Sequence, residues 1–118
     1  MENQNESAFS LNFIDPYWSV LEMDEKMIKG LLRQLKTEMP KDHVLKKRTY
    51  QLLARDQRND DIILQLDDQS IAVVHLTWKQ GREISGFPRT RIYPSASAYW
   101  EEEMRDEIAE YQRDEMGD

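Results

Sequence analysis

Cysteine is missing altogether from this 118-residue chain, which excludes disulfides, thiolate nucleophiles, zinc ribbons and iron–sulfur clusters and suits a reducing compartment. Glycine is nearly as scarce. The four glycines, at 30, 81, 86 and 117, are too widely spaced for a Gly-x-Gly-x-x-Gly turn or a phosphate-cradling P-loop. Gly-x-Ser-x-Gly and His-Glu-x-x-His are absent as well, so the usual acyl-transfer and metalloprotease signatures have no footing. Cations are in deficit, with 16 Lys and Arg against 23 Asp and Glu and a formal charge of −7. A nucleic-acid partner is therefore disfavoured, because gripping a phosphate backbone takes a surplus of basic side chains. Long apolar runs are lacking too, and none approaches the ~20 residues of a bilayer-spanning helix. The opening Met1-Glu2-Asn3-Gln4-Asn5-Glu6 is acidic and polar where a signal peptide is basic and then apolar. A cytoplasmic location with no membrane partner is expected.

What is present suffices for one core. A domain of this length buries about two thirds of the surface its unfolded chain exposes, and that domain is expected at 15–113, between a disordered tail at 1–14 and an acidic tail at 114–118. Asp15-Pro16 reads as a helix start, Asp accepting from first-turn N–H groups and Pro supplying the helical φ. From Asp24 onward, Met23, Met27, Ile28, Leu31, Leu32, Leu35 and Met39 recur at helical spacing, and Pro40 stops the run. Past Pro40 the period becomes two. Thr49 to Ala54 and Asp61 to Leu66 alternate as strands, and Ile71 to Trp78, apolar on both faces apart from His75 and Thr77, reads as the centre of the sheet. Asp67-Asp68-Gln69-Ser70 is the turn between them; pairing Leu66 with Ile71 sets Ile62 opposite His75 and Asp60 opposite Thr77. Arg89 to Tyr93 supplies a fourth short strand, and Ser95 or Ser97 caps a closing helix with Trp100, Met104, Ile108 and Tyr111 on one face. The fold class is α+β, two-layer: an antiparallel meander of three to four strands packed by an N-terminal and a C-terminal helix.

Polar residues inside that frame carry the candidate chemistry. His75 beside Asp60 and Asp61 suits a general acid/base pair, a carboxylate fixing the imidazole tautomer, and His43 or Glu38 joins it if the turn after the first helix folds across the strand. The plainer reading of the same residues is a satisfied core histidine and ordinary turn chemistry, with His43 as a helix cap or surface residue. The two histidines lack the i, i+3 or i, i+4 spacing of a helical metal site, so neither a metal nor another cofactor is expected. Trp78 and Thr77, at a strand end beside the loop that carries Phe87, are the candidate binding edge, aromatics there otherwise serving as core filler. Glu101 and Glu102 open an acidic helix that offers a face to a cationic partner, or simply a solvated surface.

The hairpin also carries a resemblance. Asp60-Asp61-Ile62-Ile63-Leu64-Gln65-Leu66 followed by Ala72-Val73-Val74-His75-Leu76-Thr77-Trp78 resembles a family of short bacterial proteins with an Asp-Asp-Val-Leu strand and an Ala-Val-Val-His-Leu-Thr-Trp strand. The helix ending at Glu38, with His43 and Leu45 after it, is similar to a Glu-Leu helix and Gly-His-Pro-Leu turn in those proteins, although Asp42 and Val44 replace the glycine and proline here. The likeness spans roughly Leu31 to Tyr111, including Pro88 and Thr90. It implies a fold and no reaction. The expected function is binding of another protein, in an immunity-like, antitoxin-like or regulatory role. The alternatives are a small hydrolase built on His75, and a structural subunit that dimerises through the sheet or the Trp100 helix.

Overall fold

A computed structural model describes residues 11–116. Five strands lie side by side in chain order as one antiparallel sheet: β1 (Tyr17–Ser19), β2 (Tyr50–Asp56), β3 (Asp61–Leu66), β4 (Ile71–His75) and β5 (Thr90–Tyr93). Helix α1 (Glu25–Glu38) precedes β2, and the chain closes with α2 (Ala96–Tyr99), a π-helical turn at Trp100–Met104 and α3 (Arg105–Met116).

The α+β class is as expected, but the sheet has five strands, and the helices cover both of its faces. Successive strand residues point to opposite faces. Ile62, Leu64, Ala72 and Val74 pack with Leu31, Leu35 and Met39 of the α1 segment. Ile63, Ile71 and Val73 pack with Tyr99, Met104 and Ile108 of the C-terminal helices. The layering is therefore helix, sheet, helix, and it explains why β4 reads as an almost unbroken apolar run.

The additional strand is β1. Asp15-Pro16 is a cis peptide, and in place of a helix the chain pairs Tyr17 with Asp56 and Ser19 with Ala54. Ser19 then caps a single 3₁₀ turn, Val20–Glu22, by accepting from the Leu21 N–H at 3.1 Å. Nothing local distinguishes a proline that opens a helix from one that enters an edge strand; the free edge of β2 decides. Of the 1–14 stretch read as disordered, residues 1–10 lie outside the described ones, while Leu11 and Phe13 pack on the Tyr17 side of the core, Phe13 meeting the Tyr17 ring edge-on at 5.7 Å. Residues 114–116 of the acidic tail continue α3.

Two register features aim side chains. In β2 a bulge between Leu52 and Ala54 turns Leu52 to the α1 core and Ala54 to the other, where regular alternation puts both on one face. In the β3–β4 hairpin the Leu66 N–H donates to the Ser70 carbonyl at 2.9 Å, and Gln69 takes a positive φ of 75°. The loop is thus three residues long, a turn followed by a left-handed residue, and not the four-residue turn expected. Every cross-strand pair moves by one, so that Asp61 lies opposite His75. β4 also ends at His75, short of the expected Trp78.

That early end has a cause in α1. Asp24 caps the helix by accepting from the Met27 N–H at 2.8 Å, and at the far end Glu38 is fully buried. A carboxylate in the interior, at the negative end of a helix, is tolerated only when well bonded. Its oxygens accept from the Thr77 N–H at 2.9 Å, the Thr77 hydroxyl at 3.0 Å, the Trp78 N–H at 2.7 Å and the Gln34 amide at 2.8 Å. These bonds draw the chain off the sheet and into a turn, with Trp78 at a φ of 61°. Glu38→Ala orphans these donors at about 1–3 kcal/mol for each one left unpaired. Urea unfolding is expected to show a loss on the order of 2–4 kcal/mol; a loss below about 1 kcal/mol contradicts this account.

Candidate functional site

The site is a polar cavity of about 580 Å³ between the sheet and the C-terminal helix. The shifted hairpin register builds its centre. His75 and Asp61 are cross-strand neighbours on the face turned to that helix, and His75 Nδ1 lies 2.8 Å from Asp61 Oδ1. The imidazole is half exposed, whereas the Asp61 carboxylate is 10% exposed. Asn59 Oδ1 accepts from the Asp61 N–H at 3.1 Å, fixing the start of β3.

A chain of charges continues across the cavity. Asp61 Oδ2 is 3.5 Å from Arg91, whose guanidinium makes two 2.9 Å bonds to the two oxygens of Glu103. The Tyr93 hydroxyl donates to the same Glu103 at 2.7 Å. One helical turn further, Glu107 accepts from Arg58 at 2.6 Å, and Arg58 also bonds Asp56 at 2.9 Å. Planar guanidinium forks hold carboxylates in defined orientations, so these two arginines clamp the C-terminal helix to the sheet at the cavity wall. The π-helical turn that precedes α3 carries Glu101, Glu102 and Glu103. Below the wall, burial pushes the phenols of Tyr17 and Tyr99 well above their ordinary range, helped by the charges of Glu103 and Asp56.

The lining is acidic: Asp56, Asp61, Glu102, Glu103, Asp106 and Glu107 against Arg89 and Arg91. Glu102 has no ion-pair partner among the described residues, and Asp106 has only a 4.0 Å contact with Arg105. Burial raises the Asp61 pKa above the ordinary carboxylate value, and its contacts with His75 and Arg91 offset part of that rise. With Asp61 holding Nδ1, the Nε2 of His75 has no bonded partner among the described residues and can accept a proton or a donor from a bound group. No serine, threonine or lysine lines the cavity, so proton transfer there would have to act on water or on the ligand itself. Among the described residues no group of acids and histidines has a metal-holding arrangement.

The other sequence-selected residues are distributed elsewhere. Asp60, at a φ of 66°, turns its carboxylate to Arg55 at 3.2 Å and stays out of the cavity lining. His43 is buried and separate from His75. Its Nδ1 accepts from the Leu45 N–H at 3.1 Å, so the proton belongs on Nε2, which donates to the Pro88 carbonyl at 2.9 Å. Both nitrogens are thereby committed to holding the turn after α1 against the segment entering β5. Glu38 belongs to the Thr77–Trp78 turn. Trp78 is exposed, and Phe87 lies under the Arg89 guanidinium at 5.1 Å. Glu102 reaches the cavity, while Glu101 pairs with Arg105 at 2.9 Å on the helix surface. Trp100 packs against its own sheet.

Arg91, Glu103, Tyr93 and Asp56 are the site residues that sequence reasoning missed. The available signal was alternation in β5: Arg91 lies opposite Val73 and so shares the face of His75 two residues on.

The sign of the Asp61 shift yields a stability test. A carboxyl with a folded pKa above its unfolded value contributes stability in its protonated form, below the unfolded pKa, and that contribution is lost as pH rises through the folded pKa. Asp61→Asn mimics the protonated form. Its stability relative to the parent chain is expected to improve as pH rises from about 3 to about 7 across the carboxylate range, measured by urea midpoints; a difference moving the opposite way contradicts the assignment. Against known protein families, curated proteins and solved structures, the chain finds no match.

Proposed function

We propose that this is a non-catalytic binding protein whose partner is another protein with a basic surface, taken up by the cavity between sheet and C-terminal helix and by the acidic helix that walls it. The immunity or antitoxin-like role is the concrete form of this reading, and regulation by sequestration is its general form. The observation that carries it is the surplus of carboxylates over guanidiniums around the cavity, with Glu102 unpaired and Asp106 nearly so. Negative potential in a concave site attracts cationic groups and speeds their encounter. Its walls are held by the Arg91–Glu103 and Arg58–Glu107 bonds, so little ordering remains to be done on binding. The resemblance to short bacterial proteins is compatible with this reading and assigns no activity.

Cross-linking in the native cell followed by mass spectrometry is expected to recover one recurrent basic partner, released by raised salt. Joint reversal with Glu102→Lys and Asp106→Lys is expected to reduce recovery by at least about tenfold, as charge pairs at interfaces do. No recurrent partner, or one indifferent to the reversal, rejects the proposal.

A second reading is a small hydrolase, and the 2.8 Å bond between His75 and Asp61 favours it. In this reading His75 Nε2 takes a proton from water while Asp61 orients the ring; Asp60 and His43, which lie elsewhere, take no part. Chromogenic ester and phosphate substrates test it. Turnover that falls about 10²–10⁴-fold in His75→Gln supports general-base chemistry, and a parent chain without turnover rejects it.

A further inference from the structure

Large apolar side chains left in solvent are few among the described residues, and three of them share one end of the molecule. Val44 is 55% exposed, Trp78 46% and Ile84 65%. Hydrogen bonds around Glu38 gather the segments that carry them. Glu38 accepts the Trp78 N–H on its carboxylate and the Glu83 N–H on its carbonyl at 2.8 Å, so the residues bearing the indole and the Ile84 side chain are fastened to one point. Ser85 then donates to Asp42 at 2.6 Å, and Val44 lines a depression of about 290 Å³ together with Asp42, Ser85 and Gly86. Gln34 adds a bond to the Lys79 carbonyl at 2.8 Å.

This end is therefore fastened, yet its apolar side chains face water. Isolated exposed apolar residues are ordinary, but a grouped and immobilised set marks an interaction surface. Trp78 holds a left-handed backbone conformation that bulky residues rarely adopt. Cations outnumber acids on the segments that carry the set, Lys41, Lys79 and Arg82 against Asp42 and Glu83: Lys41 and Arg82 are exposed without an ion-pair partner among the described residues, Lys79 has only a 3.9 Å contact with Glu83, and Asp42 accepts from Ser85.

We propose that Trp78, Ile84 and Val44, rimmed by Lys41, Lys79 and Arg82, dock an acidic segment of a partner protein that lays a large apolar side chain against the indole. This surface is separate from the acidic cavity and takes a partner of the opposite charge. Apolar contact supplies the affinity, and the cationic rim selects the sign of the segment. A basic segment would meet like charge at the rim. In the acidic helix of a second copy Met104 and Ile108 are already buried on its sheet, which leaves Met116 at its last residue as the exposed large apolar side chain.

Selection of a random peptide library on the full chain tests this directly. Recovered peptides are expected to carry more Asp and Glu than Lys and Arg around an aromatic or leucine residue, and to shift the Trp78 indole N–H in two-dimensional NMR. Ile84→Asp, and separately the pair Lys41→Glu with Arg82→Glu, are expected to weaken those peptides at least about tenfold while thermal melting stays that of the parent. The proposal is overturned by peptides that are basic or neutral, by binding that maps elsewhere, by failure to enrich any peptide, or by indifference to both sets of substitutions. A concentration-dependent dimer in sedimentation, abolished by Ile84→Asp, would assign the surface to a second copy and equally overturn it.

Discussion

A carboxylate with no exposure to solvent governs the arrangement at one end of this molecule. Glu38 stands at the last turn of α1, where helix carbonyls already make the surroundings negative. It is stable there because backbone and side-chain donors surround it, and apart from the Gln34 amide those donors come from a stretch about 40 residues away in the chain, Thr77 and Trp78. Satisfying one buried group thus joins α1 to the end of β4, truncates that strand at His75 and starts the loop that leads to β5. The exposure of Trp78 follows from the same bonds. Buried polar groups of this kind specify geometry more than they add net stability.

On the other face, a single-residue choice in the β3–β4 hairpin sets the candidate site. Gln69 in a left-handed conformation shortens the loop to three residues and pairs Asp61 with His75. A four-residue loop would have put Ile62 there and left the histidine without a carboxylate. The arginines of β5 and of the β2–β3 loop then fasten the C-terminal helix over the pair, and the cavity is what remains between those fastenings and the sheet.

Charge is segregated between the two helical layers. Lys26, Lys29, Arg33 and Lys36 stand on α1, and Lys41, Lys46, Lys47 and Arg48 follow it, while the segment from Glu101 to Glu115 carries eight acidic side chains against Arg105 and Arg113. The hydrophobic sheet between them keeps these sets apart, so they do not neutralise one another as they would if the helices packed side by side. Each face consequently presents a field of its own sign, screened over about 8–10 Å at ordinary ionic strength. Two surfaces of opposite charge are a direct result of placing helices on both sides of one sheet.

Much was legible in the chain alone. The span of α1 from its Asp24 cap to Pro40, the strands at 61–66 and from Ile71, and a serine cap at 95 or 97, which the fold places at Ser95, all follow from short-range patterns of apolar spacing, capping and proline placement. His75 and Asp61 were legible as candidates because polar groups inside apolar strands are conspicuous. Tertiary structure alone decided the rest. β1 exists because β2 has an edge to pair, the Leu52–Ala54 bulge because two cores must be filled, and the site partners Arg91 and Glu103 because β5 and the closing helix meet across the sheet. Local patterns report which face a residue favours; they do not report which distant donor, charge or edge will meet it, since that depends on contacts between parts of the chain that share no sequence proximity.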